Sequence, residues 1–249
     1  MTEVLINAIQ LFPQTSCQPT PVGSDLKIVT DTVYGFIGPD SACISSWLQT
    51  LAVIAPPAQG QVLFRQQPTH HTNRSQWQQL RLNIAYLNQH SALMSALVTQ
   101  ENILLPALYH QLDTRPSLLE KMTALLARIG YANLDSLTEL PAYIDELAYS
   151  QAILIRAVLT RPAVIIIDNT FRHFDERTSR KLLAFLKAYA AESHAALLIH
   201  DDDSQFVMSS VDKIVYADEH GLEEFMSRNE MQASTRPHVL QYLRDFASW

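Results

Sequence analysis

The chain has 249 residues, enough to bury a full core as one compound domain or two small ones. Hydrophobic residues at 47% and charged residues at 17% exclude a disordered composition, and a net charge of −7 argues against a nucleic-acid binder, which carries a basic face. No run approaches the roughly 18 apolar residues of a membrane span, and the start lacks a leader pattern, so a cytosolic protein is expected.

In chain order, Val4–Ile9 reads as a strand, and Pro13, Pro19, Pro21 and Gly23 break up the segment after it. Leu26–Ile28 and Val33–Ile37 are short apolar runs of strand length. The second ends at Gly38, Pro39, Asp40 and Ser41, and a helix is expected from Ala42 to Ile54, with Trp47, Leu48, Leu51 and Ile54 at helical spacing. Val62–Phe64 is a further strand, residues 66–79 an exposed loop leading into a short helix, and Ile84–Leu87 another strand. Residues 97–160 are helical. Their clearest member starts at Pro116 and carries the stripe Leu118, Leu119, Met122, Leu125, Leu126 and Ile129, with Gly130 as its stop. Ala163–Ile167 is apolar on both faces, as in the middle of a parallel sheet. A helix through Leu182, Phe185, Leu186 and Tyr189 comes next, then strands Ala195–Ile199 and Lys213–Tyr216. Strands and helices alternate near both ends, so the reading is an α/β core with an all-helical insertion.

Glycine is scarce: 6 residues, against about 17 at average usage of roughly 7%. A chain that cradles phosphate spends glycine where its backbone approaches the anion. At the strand–turn–helix of 33–54, Gly38-Pro39-Asp40-Ser41-Ala42-Cys43-Ile44-Ser45-Ser46 stands where a phosphate loop G-x-x-G-x-G-K-S/T-S/T would stand. Only Gly38 and the two terminal hydroxyls, Ser45 and Ser46, match. Alone, that match carries nothing.

Order and spacing change the weight. Ile84–His90 resembles the Q-loop of ABC transporter ATPases, with Gln89 as its glutamine. Glu101-Asn102-Ile103-Leu104-Leu105-Pro106 resembles the start of their helical subdomain, and Ile155–Pro162 the A-R-A-L-x-x-x-P run before Walker B. Ile165-Ile166-Ile167-Asp168 matches Walker B, Phe171 and Asp175 fit the D-loop, and Ile199-His200-Asp201 resembles the H-loop. From about residue 25 to residue 218 the chain is therefore similar to an ABC transporter ATPase. The resemblance implies a P-loop NTPase core (1–88 and 160–230) with a mixed sheet and N-terminal antiparallel strands. It further implies a helical signature subdomain (89–159) and a C-terminal helical tail (231–249).

The same register shows departures. Ile44 occupies the place of the phosphate-binding lysine, and Ser41 and Cys43 replace loop glycines. Each lost charge-assisted hydrogen bond is worth roughly 1.5–3 kcal/mol, and Cβ atoms disfavour the left-handed backbone that aims amides at phosphate. Asn169 replaces the catalytic glutamate, and an amide cannot take a proton from water; a positioned base is worth about 10²–10⁴ in rate. The signature L-S-G-G-Q falls on Ile144, Asp145, Glu146, Leu147 and Ala148, which would turn carboxylates toward a polyphosphate. Gln89, Asp168, Ser45 and His200 survive, Asp168 and Ser45 being the candidate magnesium ligands.

The expectation is weak or absent binding of ATP and magnesium, and hydrolysis impaired or lost, with Asn169 and His200 as vestigial catalytic positions. The resemblance also implies a homodimer or heterodimer with another nucleotide-binding subunit, docked on the cytoplasmic side of an inner-membrane permease. A groove near Gln89 and residues 95–110 would receive the permease, and the membrane would be met only through it. A working ATPase and a soluble scaffold are the competing readings. The tail places Val239, Tyr242, Leu243 and Phe246 on one helical face, as core packing or as a handle for a partner. It is similar to the C-terminal extension of ATPases serving MCE-type lipid transporters, and Leu87, Gln89, Ser91, Ala92 and Leu93 agree with that branch.

Other candidates read more plainly. Adjacent His70 and His71 cannot easily converge on one metal. Asp201, Asp202 and Asp203 lack the interleaved ligands of a calcium loop and are expected to cap a helix. Cys17 and Cys43 make no disulfide framework, and Cys43 reads as a small buried filler.

Overall fold

The computed structural model describes residues 2–14, 23–70, 73–218 and 220–247, with the side chains at 74, 246 and 247 excepted. Two sheets form its frame. The first is antiparallel, in the order β2-β1-β4-β5, from β1 (Val4–Pro13), β2 (Ser24–Val29), β4 (Pro57–Phe64) and β5 (Gln67–Pro68). The second runs β10-β9-β3-β8-β7-β6, from β3 (Val33–Ile37), β6 (Ile84–Asn88), β7 (Val164–Asp168), β8 (Ala196–His200), β9 (Lys213–Asp218) and β10 (Gly221–Phe225). Its strands are parallel except for β10, which returns antiparallel on β9.

Alternation along the central strands sorts their side chains between two cores. Val33, Ile37, Ile165, Ile167, Leu197 and Ile199 join one apolar cluster, and Tyr34, Phe36, Val164, Ile166, Ala196 and Leu198 join the other. The second cluster lies between the sheets and surrounds helix α1 (Ser41–Leu51), which contributes Cys43, Ile44, Trp47, Leu48 and Leu51. The first cluster takes in the helical insertion: α3 (Thr99–Tyr109), α4 (Arg115–Ile129) and α5 (Glu146–Val158). A short helix α2 (Arg74–Asn83) leads into β6 and is closed by a capping box between Asn73 and Gln76.

Helix α4 follows its sequence pattern: Leu118, Met122, Leu125, Leu126 and Ile129 are buried, and Gly130 ends it at φ 77°, a left-handed cap that suits glycine. Helix α6 (Glu176–Ser193) buries Leu182, Phe185, Leu186 and Tyr189, and Asp175 caps it by accepting the Thr178 amide at 2.7 Å. Differences from the sequence reading are local. Helix α1 stops at Leu51, so Ile54 is 42% exposed rather than part of its buried stripe. Helices α7 (Ser204–Met208) and α8 (Arg228–Gln232) and strand β10 are additions; the first two are too short to show a period. Asp203 caps α7 through the amides of Gln205 and Phe206, while buried Asp201 accepts the Asp203 amide at 2.9 Å. Burial raises the Asp201 carboxyl above its ordinary range, and that hydrogen bond opposes the shift.

Helix α9 (Pro237–Ala247) lies against the first cluster: Val239 is fully buried, and Tyr242 and Leu243 pack beside it. Among the described residues no helix is long and apolar enough to cross a membrane.

Candidate functional site

Strand register explains why residues distant in sequence meet. Asn88 pairs with Asp168, Asp168 with His200, and His200 with Phe36, so the C-terminal ends of β6, β7, β8 and β3 lie side by side. In an open parallel sheet this edge is where a ligand crevice forms. A cavity of about 480 Å³ opens there, lined by Ser41, Ser45, Ser46, Gln89, Asp168 and Asn169, with Gln49, Asn88, His90, Arg172 and Asp202 completing its wall. Six of the sequence-derived site positions therefore face one space.

Its deepest group is Asp168, only 3% exposed. One carboxylate oxygen accepts the Ser45 hydroxyl at 2.8 Å, and the other accepts the Tyr86 phenol. Burial, and then the Asp168 charge, hold that phenol well above its ordinary pKa, so it stays protonated as a donor. His200, equally buried, places Nδ1 3.2 Å from the Phe36 carbonyl and Nε2 2.8 Å from Ser41 Oγ. A carbonyl only accepts, so Nδ1 donates to it, and Nε2 is left to pair with the Ser41 hydroxyl.

Asn169 sits at φ 53°, a left-handed conformation that asparagine tolerates, and its amide donates to the His200 carbonyl at 2.8 Å. Its side-chain oxygen is buried without a hydrogen-bond partner. Gln89 is exposed at the rim, its amide nitrogen 3.4 Å from His90 Nε2. Arg172 and Asp202 face each other across the mouth at 3.8 Å.

The turn between β3 and α1 differs most from a phosphate loop. Helix α1 begins at Ser41, and Asp40 caps it: its Oδ1 accepts the Ala42 N–H at 2.9 Å, and its carbonyl takes the first intrahelical bond, from the Ile44 N–H at 3.1 Å. No residue from 38 to 46 has a positive φ, so no left-handed step bends the backbone round an anion. Ile44 is fully buried beside Trp47 and Leu48. It points into the core. Ser46 turns back to the Ala42 carbonyl at 2.9 Å. Gly38 is required by packing, since a Cβ there would stand 2.0 Å from the Ala217 carbonyl oxygen. Cys43 needs correction: it is buried as expected but disulfide-bonded, not a free thiol filler. Cys17 and His71 lie outside the described residues.

The segment Ile144–Ala148 does not line this cavity. Asp145 caps α5 by accepting the Ala148 amide at 2.8 Å, Glu146 is exposed in the first turn, and Leu147 is 37% exposed. Ile144 and Ala148 pack on the first core cluster.

Tyr86, Asp40 and the Arg172–Asp202 pair escape a reading of the sequence. Asp40 has a readable signal, an aspartate just before an apolar helix. Tyr86 has none short of strand pairing.

A parallel sheet whose strand ends meet the N-terminus of α1, and on which solved ABC cassettes superpose, is the P-loop NTPase fold. Within that class the chain belongs to the ABC transporter family, whose model matches residues 23–172. It is similar to the methionine import ATP-binding protein MetN of Mannheimia succiniciproducens, 24% identical over 216 residues, 87% of this chain and 62% of that protein. It is also similar to the sulfate/thiosulfate import ATP-binding protein CysA of Synechocystis, 22% identical over 222 residues, 88% and 60% of the two chains. The chain thus spans about three fifths of the length of these relatives. Among solved structures, the dimeric bacterial ABC transporter cassette MJ0796 superposes with a TM-score of 0.76 at 16% identity, covering 90% of this chain and 99% of that one. The cbiO1 subunit of Clostridium perfringens, part of the transporter complex cbiONQ, gives 0.77 at 16%, covering 97% and 95%. Those likenesses establish the fold.

Proposed function

We propose that the chain is a nucleotide-binding-type subunit of a membrane transporter that keeps the cassette's shape and has lost most of its triphosphate chemistry. The observation that carries this reading is that Asp40 and Asp145 cap the two helices whose N-termini would otherwise offer amides to phosphate. A carboxylate already sits on each positive helix end and occupies one of its N–H groups, so an incoming anion would meet repulsion there. With Ile44 in the core and no nest in the turn, these residues do not fit a triphosphate. Asn169 also lacks the proton acceptor that hydrolysis needs. Both Asp168 oxygens are engaged by hydroxyls, so magnesium would have to displace one of them.

The subunit would act as a structural or regulatory partner within a dimer, on the cytoplasmic side of an inner-membrane permease. Its division into a core (1–88, 160–230), a helical insertion (89–159) and a tail (231–249) belongs to this reading. Met94, Leu105, Tyr109 and Leu112 leave apolar surface on and beside α3, which supports docking there. A role in an MCE-type lipid system rests on the resemblance of the tail and of the Leu87, Gln89, Ser91, Ala92 and Leu93 pattern. The competing reading, a working ATPase, draws on Ser45, Asp168 and Gln89 lining one cavity, with His200 hydrogen-bonded to Ser41 in its wall.

Titration of Mg-ATP onto the purified chain, alone and co-purified with its membrane partner, separates the two. The expected result is no saturable binding below about 1 mM, a free energy weaker than roughly −4 kcal/mol, and no turnover. Micromolar binding with steady phosphate release, abolished by Asp168→Asn, would overturn the proposal.

A further inference from the structure

A second cluster of ligating side chains lies at the β9–β10 edge of the sheet, and none of its residues lines the cavity at the ends of β6, β7 and β8. It joins the end of β9, the turn into β10, and the first turn of α9. Asp218, His220 and His238 bring one candidate ligand atom each within 4.8 Å of one another, the one such grouping among the described residues. The imidazole centroids of His220 and His238 are 4.7 Å apart. His238 Nε2 lies 4.0 Å from Asp218 Oδ2 and 3.0 Å from Glu223 Oε1.

Burial and charge favour a cation. The Asp218 and Glu223 side chains are only 6% and 14% exposed, and that of His238 25%. Arg236 pairs with Glu223 at Oε1, leaving Oε2 buried with no hydrogen-bond partner. Two carboxylates against one guanidinium leave a net negative charge beside two imidazoles. The Asp218 carboxylate is oriented by the His220 backbone amide at 2.7 Å and by the Tyr216 phenol. A metal-ligating carboxylate needs such outer partners.

We propose that Asp218, His220 and His238 form a binding site for a divalent transition ion of the zinc type, with Glu223 placed to complete it. Neighbouring ligands on a tetrahedral zinc stand about 3.4 Å apart, given bonds of about 2.0–2.1 Å. Closing from 4.8 Å takes small side-chain rotations. Two nitrogens with carboxylate oxygen suit zinc, cobalt or nickel; calcium and magnesium prefer oxygen throughout. The bound ion would fasten α9, which carries His238, to the β9–β10 hairpin.

The test uses the full, untagged chain stripped with EDTA and titrated with ZnCl2 or CoCl2. One equivalent should bind with a Kd in the micromolar range or below, cobalt should develop the visible bands of a tetrahedral N/O site, and zinc should raise Tm. His220→Ala and His238→Ala should each weaken binding by about tenfold or more, while His194→Ala, paired with Asp31 elsewhere, should not. His220 is exposed, so His220→Ala should keep the parent's circular dichroism and metal-free Tm. Zinc should also slow tryptic cleavage at Arg244 in the parent and not in that variant. Absence of stoichiometric binding below about 100 µM, or affinity unchanged in the His220→Ala/His238→Ala double variant, would overturn the site.

Discussion

Replacing Ile44 with lysine is expected to bring no gain in Mg-ATP binding and to lower Tm by about 10 °C or more. The substitution puts back the side chain that a phosphate loop uses, so a motif-based argument expects a gain. The geometry expects damage. Ile44 is fully buried among Trp47, Leu48 and Leu51, and a Cβ on Gly38 would be only 3.5 Å from its Cδ1. Removing a buried isoleucine costs about 2–5 kcal/mol, and an ammonium left there without a partner adds to that. In a domain of this size each kcal/mol moves Tm by about 2–4 °C. Ile44→Val, which keeps the apolar shape, should cost only about 0.5–1.5 kcal/mol. Thermal melts of both variants with and without Mg-ATP give the answer. A lysine variant as stable as the parent that binds Mg-ATP would show that residue 44 reaches the cavity after all.

Asp168→Ala should destabilise the chain by about 1–3 kcal/mol, because it strips the acceptor from two half-buried hydroxyls at once. Ser45 and Tyr86 donate to separate carboxylate oxygens, and Tyr86 also has the side chains of Gln49 and Asn88 within hydrogen-bonding reach. Were Asp168 present only to hold magnesium, its removal would leave the stability of the metal-free chain nearly untouched. Asp168→Asn keeps one oxygen acceptor and should cost about half as much. Tyr86→Phe in the alanine background should recover part of the loss, since one orphaned hydroxyl disappears; a double-mutant cycle measures that coupling. Equal Tm values for parent and Asp168→Ala in EDTA would remove the structural role assigned here.

Much of the fold is legible in the sequence because its strongest elements are locally consistent. The run Val164–Ile167 is apolar on both faces and forms the interior of a parallel sheet. The α4 stripe and its glycine stop place that helix within a residue of where the period puts it. Of the site, the sequence supplies the residues at the strand ends, since each strand carries its own terminal polar group. It cannot supply partners set by pairing. Tyr86 lies opposite Ile166, diagonal to Asp168 on the same face, a relation that exists only once the register is known. Asp40 stays hidden while 38–46 is treated as a loop, because its role is to cap a helix that starts three residues before Ile44. The cluster of Asp218, His220 and His238 needs the β9–β10 turn and α9 together, and no spacing rule spans that gap.

The turn after β3 resists conversion into a phosphate cradle by single substitutions. Its glycine is held by the Ala217 backbone, its aspartate by a helix end and its isoleucine by the core. Exchanging Asp40 or Ile44 for a phosphate-binding residue removes a helix cap or core packing before it gains a ligand, so each such step lowers stability first.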